Sequence, residues 1–140
     1  LSGIEKYSGS VARQRSSSPK FMVHNTALMS SSDAEHFSSI REHPARWGRY
    51  VESAVGAHLL DGNAKGHYKL YYWRKGNLEV DFVLVRDNHI LALEVKSGRI
   101  RGRSGLEQFR KEFPHSRVML IGDSGMPWQE FLKVDMAEII

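Results

Sequence analysis

At 140 residues, 41% hydrophobic and 26% charged, the chain has the composition of a soluble globular protein and enough length for one core, since folding at this size buries roughly two-thirds of the unfolded surface. It has no cysteine, which excludes disulfide scaffolds, thiolate metal sites and cysteine nucleophiles and fits a reducing, cytoplasmic setting. Twenty Lys and Arg against sixteen Asp and Glu give a net charge of +4, which allows a polyanionic partner without requiring one, and no apolar run nears the length of a membrane span.

The opening "LSGIEKYSGS" has neither an initiator Met nor the pattern of a signal peptide, so the chain reads as a piece of something longer. Residues 1–44 alternate Ser-rich, polar stretches with one short apolar piece, "FMVHNTALM". They read as an extension with one strand, the tail of a preceding domain or a linker. Residues 45–140 read as the domain proper. In "ARWGRYVESAVGAHLL" the apolar positions Trp47, Val51, Ala54, Val55 and Leu59 follow helical spacing, predicting a helix over Ala45–Leu60 that Gly62 would end.

"YKLYYWR", "EVDFVLV" and "HILALEVK", separated by the turn signals "KGN" and "RDN", predict a three-stranded meander. "LEQFRKEF" predicts a helix over Leu106–Phe113 that stops before Pro114, "RVMLIG" a strand buried on both faces, and "PWQEFLK" a last short helix begun by Pro127. The order α-β-β-β-α-β implies an α/β fold with a mixed sheet, Val118–Ile121 beside the meander and helices flanking it.

Asp81, Glu94 and Lys96 place charges in what otherwise read as two strands of buried apolar residues within Val80–Gly98. Strand side chains alternate faces, so Glu94 and Lys96 share one. A hairpin with Asp87 and Asn88 at its tip sets Arg86 opposite His89, and that register carries Asp81 to a position opposite Glu94. Two carboxylates about 5 Å apart repel unless a cation lies between them. Mg²⁺ suits such a pair, because hard cations take one or two carboxylates and fill their remaining positions with water and phosphate oxygens. Beside it, Lys96 could serve the attacking water and offset charge on a phosphodiester.

"VD" followed one strand later by "EVK", after an acidic helix, resembles the PD-(D/E)xK nuclease superfamily and its restriction-endonuclease-like core. The resemblance implies that Asp81 and Glu94 hold Mg²⁺, for which Mn²⁺ substitutes, with the Val95 carbonyl as a further ligand. It implies Lys96 as the residue serving the water and Glu52 as an outer acid. Val80 stands where that motif has Pro. Gly48 and Gly56, one turn either side of Glu52, would leave room for backbone or phosphate to approach. Gln108 lies where several related nucleases place a supporting Gln.

Four segments in order, "SSPKFMVHNTALM", "WGRYVESAVGAHLL", "YYWRKGNLEVDFVL" and "EVKSGR", resemble more closely a C-terminal, nuclease-like domain of unknown function that follows an AAA-type ATPase domain in many prokaryotic proteins. That likeness implies a nuclease-like fold and a missing ATPase domain on the same chain; it does not by itself imply cleavage. DNA is an allowed partner, and the lack of a long apolar run leads us to expect no membrane association.

Plainer readings stand beside these. Glu79 could hold Lys96 in a cross-strand ion pair, and Glu52 on a helix margin is ordinarily solvated. Arg99, Arg101 and Arg103 in "SGRIRGRSG" fit a phosphate-tracking loop and equally a solvated one. Tyr71, Tyr72 and Trp73 suit core packing better than base stacking. The seven histidines have no zinc-ligand spacing, and no Ser sits in a nucleophile elbow. The function expected is a Mg²⁺-dependent DNA phosphodiesterase; the alternative is a non-catalytic DNA- or protein-interaction domain that keeps the nuclease fold.

Overall fold

The computed structural model describes residues 2–9, 17–24, 37–96 and 105–140. Within them a six-stranded mixed sheet is flanked by helices on both faces. The elements are β1 (Ser2–Lys6), β2 (Lys20–Met22), α1 (Phe37–Arg41), α2 (Pro44–Ala64), β3 (Lys69–Lys75), β4 (Leu78–Arg86), β5 (His89–Lys96), α3 (Gly105–Glu112), β6 (Arg117–Gly122) and α4 (Trp128–Phe131). Strand order across the sheet is β2-β1-β3-β4-β5-β6. The predicted run from helix through meander to helix and strand is therefore observed as α2-β3-β4-β5-α3-β6.

α2 buries Val51, Val55, Leu59 and Leu60 against one sheet face, where Phe82, Leu84, Leu91 and Leu93 meet them. Each such fully buried side chain stabilises the fold by roughly 1.5–3 kcal/mol. The helix does not stop at Gly62. It continues to Ala64, and the chain turns at Gly66 with φ 79°. Gly62 is needed for space instead: a Cβ there would collide with the Tyr68 hydroxyl and with Met136, and that hydroxyl donates to the Leu59 carbonyl at 2.7 Å. On the opposite face α3 sets Leu106 and Phe109 against Trp73, Val80, Val83 and Ala92. Phe109 meets the Trp73 ring edge-on at 5.5 Å.

The β4–β5 hairpin keeps the expected register, from Arg86↔His89 to Phe82↔Leu93, with Asp87 at φ 52° in its turn. β6 runs parallel to β5. As an edge strand it is only half-buried at Val118, Met119 and Leu120, so the reading of a strand buried on both faces is too strong. The N-terminal stretch contributes two strands to the sheet. β1 lies parallel to β3, through Glu5↔Tyr71 and Lys6↔Tyr72, and β2 pairs antiparallel outside it.

Between the pairs Tyr71↔Val83 and Trp73↔Val80 the register shifts, leaving Asp81 and Phe82 both opposite Tyr72. Such a bulge bends its strand and re-aims a side chain. It falls on Asp81.

Candidate active site

Asp81 lies where the β4–β5 ladder ends. Continuing the register would set Val80 opposite Val95; instead the Val95 amide donates to Asp81 Oδ2 at 2.8 Å. The same bulge leaves Asp81 Oδ1 3.8 Å from the Lys20 ammonium. Asp81 and Glu94 line one cavity of about 290 Å³ together with Glu79, Lys96 and Gly105. The start of α3 packs tightly against the Glu79 wall of this cavity, because a Cβ on Gly105 would run into the Glu79 backbone.

Burial pushes the Asp81 carboxyl up to about 7, the Glu52 and Glu94 charges push the same way, and Lys20 and the Val95 amide oppose them. A carboxylate in that state has too little positive charge around it. Glu94 is itself buried, at 5% exposure. The Lys96 ammonium stands 3.1 Å from Glu94 Oε1. The cross-strand pair Glu79–Lys96 is not formed, since Glu79 is bound instead by Arg74 at 2.7 Å and Lys20 at 3.2 Å. Burial works to raise the Glu79 carboxyl, but those two cations outweigh it and hold it below the usual range.

The structure thus brings Asp81, Glu94 and Lys96 to one cavity and leaves Val95 joined to it through its amide. Glu52 stands behind this group, 2.8 Å from Lys20, and its charge reaches Asp81. The room expected beside it at Gly56 is filled, because Met22 and Phe82 pack where a Cβ would be. Gln108 is half-buried on α3, outside the cavity lining. Arg99, Arg101 and Arg103 lie outside the described residues.

Lys20 is the residue that sequence reasoning missed. Its ammonium bonds Glu52 at 2.8 Å and Glu79 at 3.2 Å, and lies 5.6 Å from the centre of the Phe82 ring. Burial works to lower its pKa, yet the neighbouring carboxylates, Glu52 above all, hold it above that of an ordinary lysine. Nothing in "SSPKFM" signals this, since its partners lie 32 and 59 positions away.

Among the described residues no group of three or more His, Cys, Asp or Glu is arranged to hold a metal ion. An ion here would rest on two carboxylates, with main-chain, water and phosphate oxygens completing its shell. That donor set is of the kind Mg²⁺ takes in phosphate-handling sites.

Fold and site together define an α/β domain with an acidic cavity at the end of its central hairpin. The chain belongs to the family described as Domain of unknown function (DUF4143), whose sequence profile matches residues 47–137. No curated protein and no solved structure shows significant similarity to the chain. Among the described residues no helix is long and apolar enough to cross a membrane.

Proposed function

We propose that this domain is a Mg²⁺-dependent DNA phosphodiesterase of the PD-(D/E)xK kind, working beside an AAA-type ATPase domain of the same chain. One observation carries the reading: Asp81 and Glu94, both largely withdrawn from solvent, share a cavity with the Lys96 ammonium, and Asp81 is short of compensating charge. Such an arrangement is costly unless a cation completes it.

In this reading Asp81, Glu94 and the Val95 carbonyl hold the ion. When bound, it would supply Lewis-acid polarisation of a phosphodiester oxygen and of water. Lys96, already paired with Glu94, has no free lone pair as an ammonium. Its role is to orient the attacking water and to offset charge growing on the phosphoryl oxygens. The water oxygen bonds to phosphorus as the bond to the leaving sugar oxygen breaks; the water's proton goes to solvent, and the leaving oxygen takes one from solvent. Asp81 keeps its brace on Val95 and so holds the cavity mouth in place. Glu52, linked to Asp81 through Lys20, acts on the site by its charge alone. Arg99, Arg101 and Arg103 follow the cavity in sequence and would track the DNA backbone.

A second reading, a DNA- or protein-interaction domain without catalysis, is favoured by the same ion pairs: Lys20 and Lys96 already answer part of the acidic charge. Cleavage of single-stranded and duplex DNA with Mg²⁺ or Mn²⁺, by wild type and Lys96→Ala with the ATPase domain present, separates the two. Metal-dependent cutting lost in the variant supports the enzyme. No cutting by wild type under any of these conditions leaves the interaction domain.

A further inference from the structure

The parallel pairing of β1 with β3 brings two short basic and aromatic stretches together. Lys6 lies beside Tyr72, and the Tyr7 amide donates to the Tyr72 carbonyl at 2.7 Å. Lys6 and Tyr7 then meet Trp73, Arg74 and Lys75 from the end of β3 and Phe113 from the end of α3 around a second cavity, of about 240 Å³. Trp73 is buried. Tyr7 and Phe113 are only half-buried, with ring centres 5.0 Å apart, and form an aromatic wall. Arg74 is held by Glu79 at 2.7 Å and Lys75 by Glu112, which also lines the cavity, and both basic side chains are more than half exposed. Ion pairs this exposed hold weakly, so both cations can turn to a phosphate, whose oxygens suit the Arg fork.

Cations beside exposed ring faces are the combination that takes a phosphate backbone and its bases together. Sites for whole small molecules ordinarily run from about 300 to 1,000 Å³. This cavity is smaller and fits one unit of a chain. A paired base is stacked within its duplex, so only an unpaired one can lay its face on such a wall. Arg74 also makes the two cavities neighbours, since it lines this one and binds Glu79, which lines the cavity of Asp81 and Glu94. We propose that this second cavity binds single-stranded DNA, with one unpaired base on Tyr7 and Phe113 and the flanking phosphates on Lys6, Arg74 and Lys75. The inference rests on the DNA reading above for the class of partner, names the form of that partner, and requires no cleavage.

The test is binding by fluorescence anisotropy of a short thymidine oligonucleotide, its abasic counterpart and a duplex of equal length to wild type, Tyr7→Leu and Lys6→Gln. Wild type should bind the thymidine strand about tenfold more tightly than the abasic one, which is the worth of one stacked base, and more tightly than the duplex. Tyr7→Leu keeps an apolar side chain but loses the ring face, and should cost about tenfold on the thymidine strand and nothing on the abasic one. Lys6→Gln should lower the log–log salt slope on either single strand by about 0.7, a readout that stands even if Tyr7→Leu fails to fold. Equal binding of the thymidine and abasic strands, an equal loss on both in Tyr7→Leu, an unaltered slope in Lys6→Gln, or thymidine monophosphate binding as tightly as the strand overturns the proposal. Duplex bound more tightly than the thymidine strand overturns it too while leaving the phosphodiesterase reading intact, and binding of no nucleic acid at all removes both.

Discussion

Asp81 accepts the Val95 amide at 2.8 Å, so a carboxylate that lines the cavity also braces the end of the β4–β5 ladder. One oxygen serves the fold while the other faces Lys20. The two duties can be pulled apart by substitution.

Asp81→Asn keeps an acceptor for Val95 and removes the charge. Burial in the fold pushes the wild-type carboxyl up from its ordinary value of 3.8 to about 7. Its favourable contribution is thus fully present below pH 4 and is lost as pH rises through 7. At pH 8 without metal, Asp81→Asn should be more stable than wild type by on the order of 1–3 kcal/mol, since each tenfold rise in proton affinity corresponds to about 1.4 kcal/mol and the neighbouring acids share the effect. Urea denaturation across pH 4–8 should show the gain shrinking toward acid. A strong loss of stability at pH 8 would instead make Asp81 a structural ion-pair partner.

Lys96→Ala should lower DNA cleavage by roughly a hundredfold or more and leave DNA affinity nearly unchanged. Single-turnover cleavage and a filter-binding titration on one oligonucleotide read the two effects separately. A parallel loss of both would assign Lys96 to binding.

Replacing Arg99, Arg101 and Arg103 together with Ala should do the reverse, weakening DNA binding. The log–log salt slope on duplex DNA should fall by about 0.9 for each phosphate that the loop no longer neutralises. An unaltered slope would return the loop to the status of a solvated connection.

Gly105→Ala would drive a Cβ into the Glu79 backbone. Overpacking of this kind costs about 1–3 kcal/mol, read as a lower denaturation midpoint. Because α3 must back away from β4, the cavity beside Asp81 should widen as well. Finding the midpoint unmoved would show that the α3 start adapts freely.

The parts of this fold that the sequence made legible are those set by local rules. Helical spacing from Trp47 to Leu59 and the turn at Asp87–Asn88 depend on near neighbours, and both are observed. Even there, Gly62 carried two meanings: a helix stop and a place of close approach look alike in one sequence, and only Tyr68 and Met136 decide between them. The bulge that re-aims Asp81 is set by how β3 meets β4, and Lys20 reaches Glu52 and Glu79 only because β1 chooses the free edge of β3. Pairings between distant strands leave no spacing to read.

That parallel pairing of β1 with β3 also sets where the domain can be cut. The family match starts at residue 47, whereas β1 and β2, which cover the β3 edge, end at Met22. A fragment trimmed to the matched segment would lose its internal cation and expose a row of unpaired amides and carbonyls along Tyr71 and Tyr72. Bare edges of this kind recruit other chains. Such a fragment should self-associate more readily than residues 1–140, so the recognisable segment is shorter than the unit that completes the sheet.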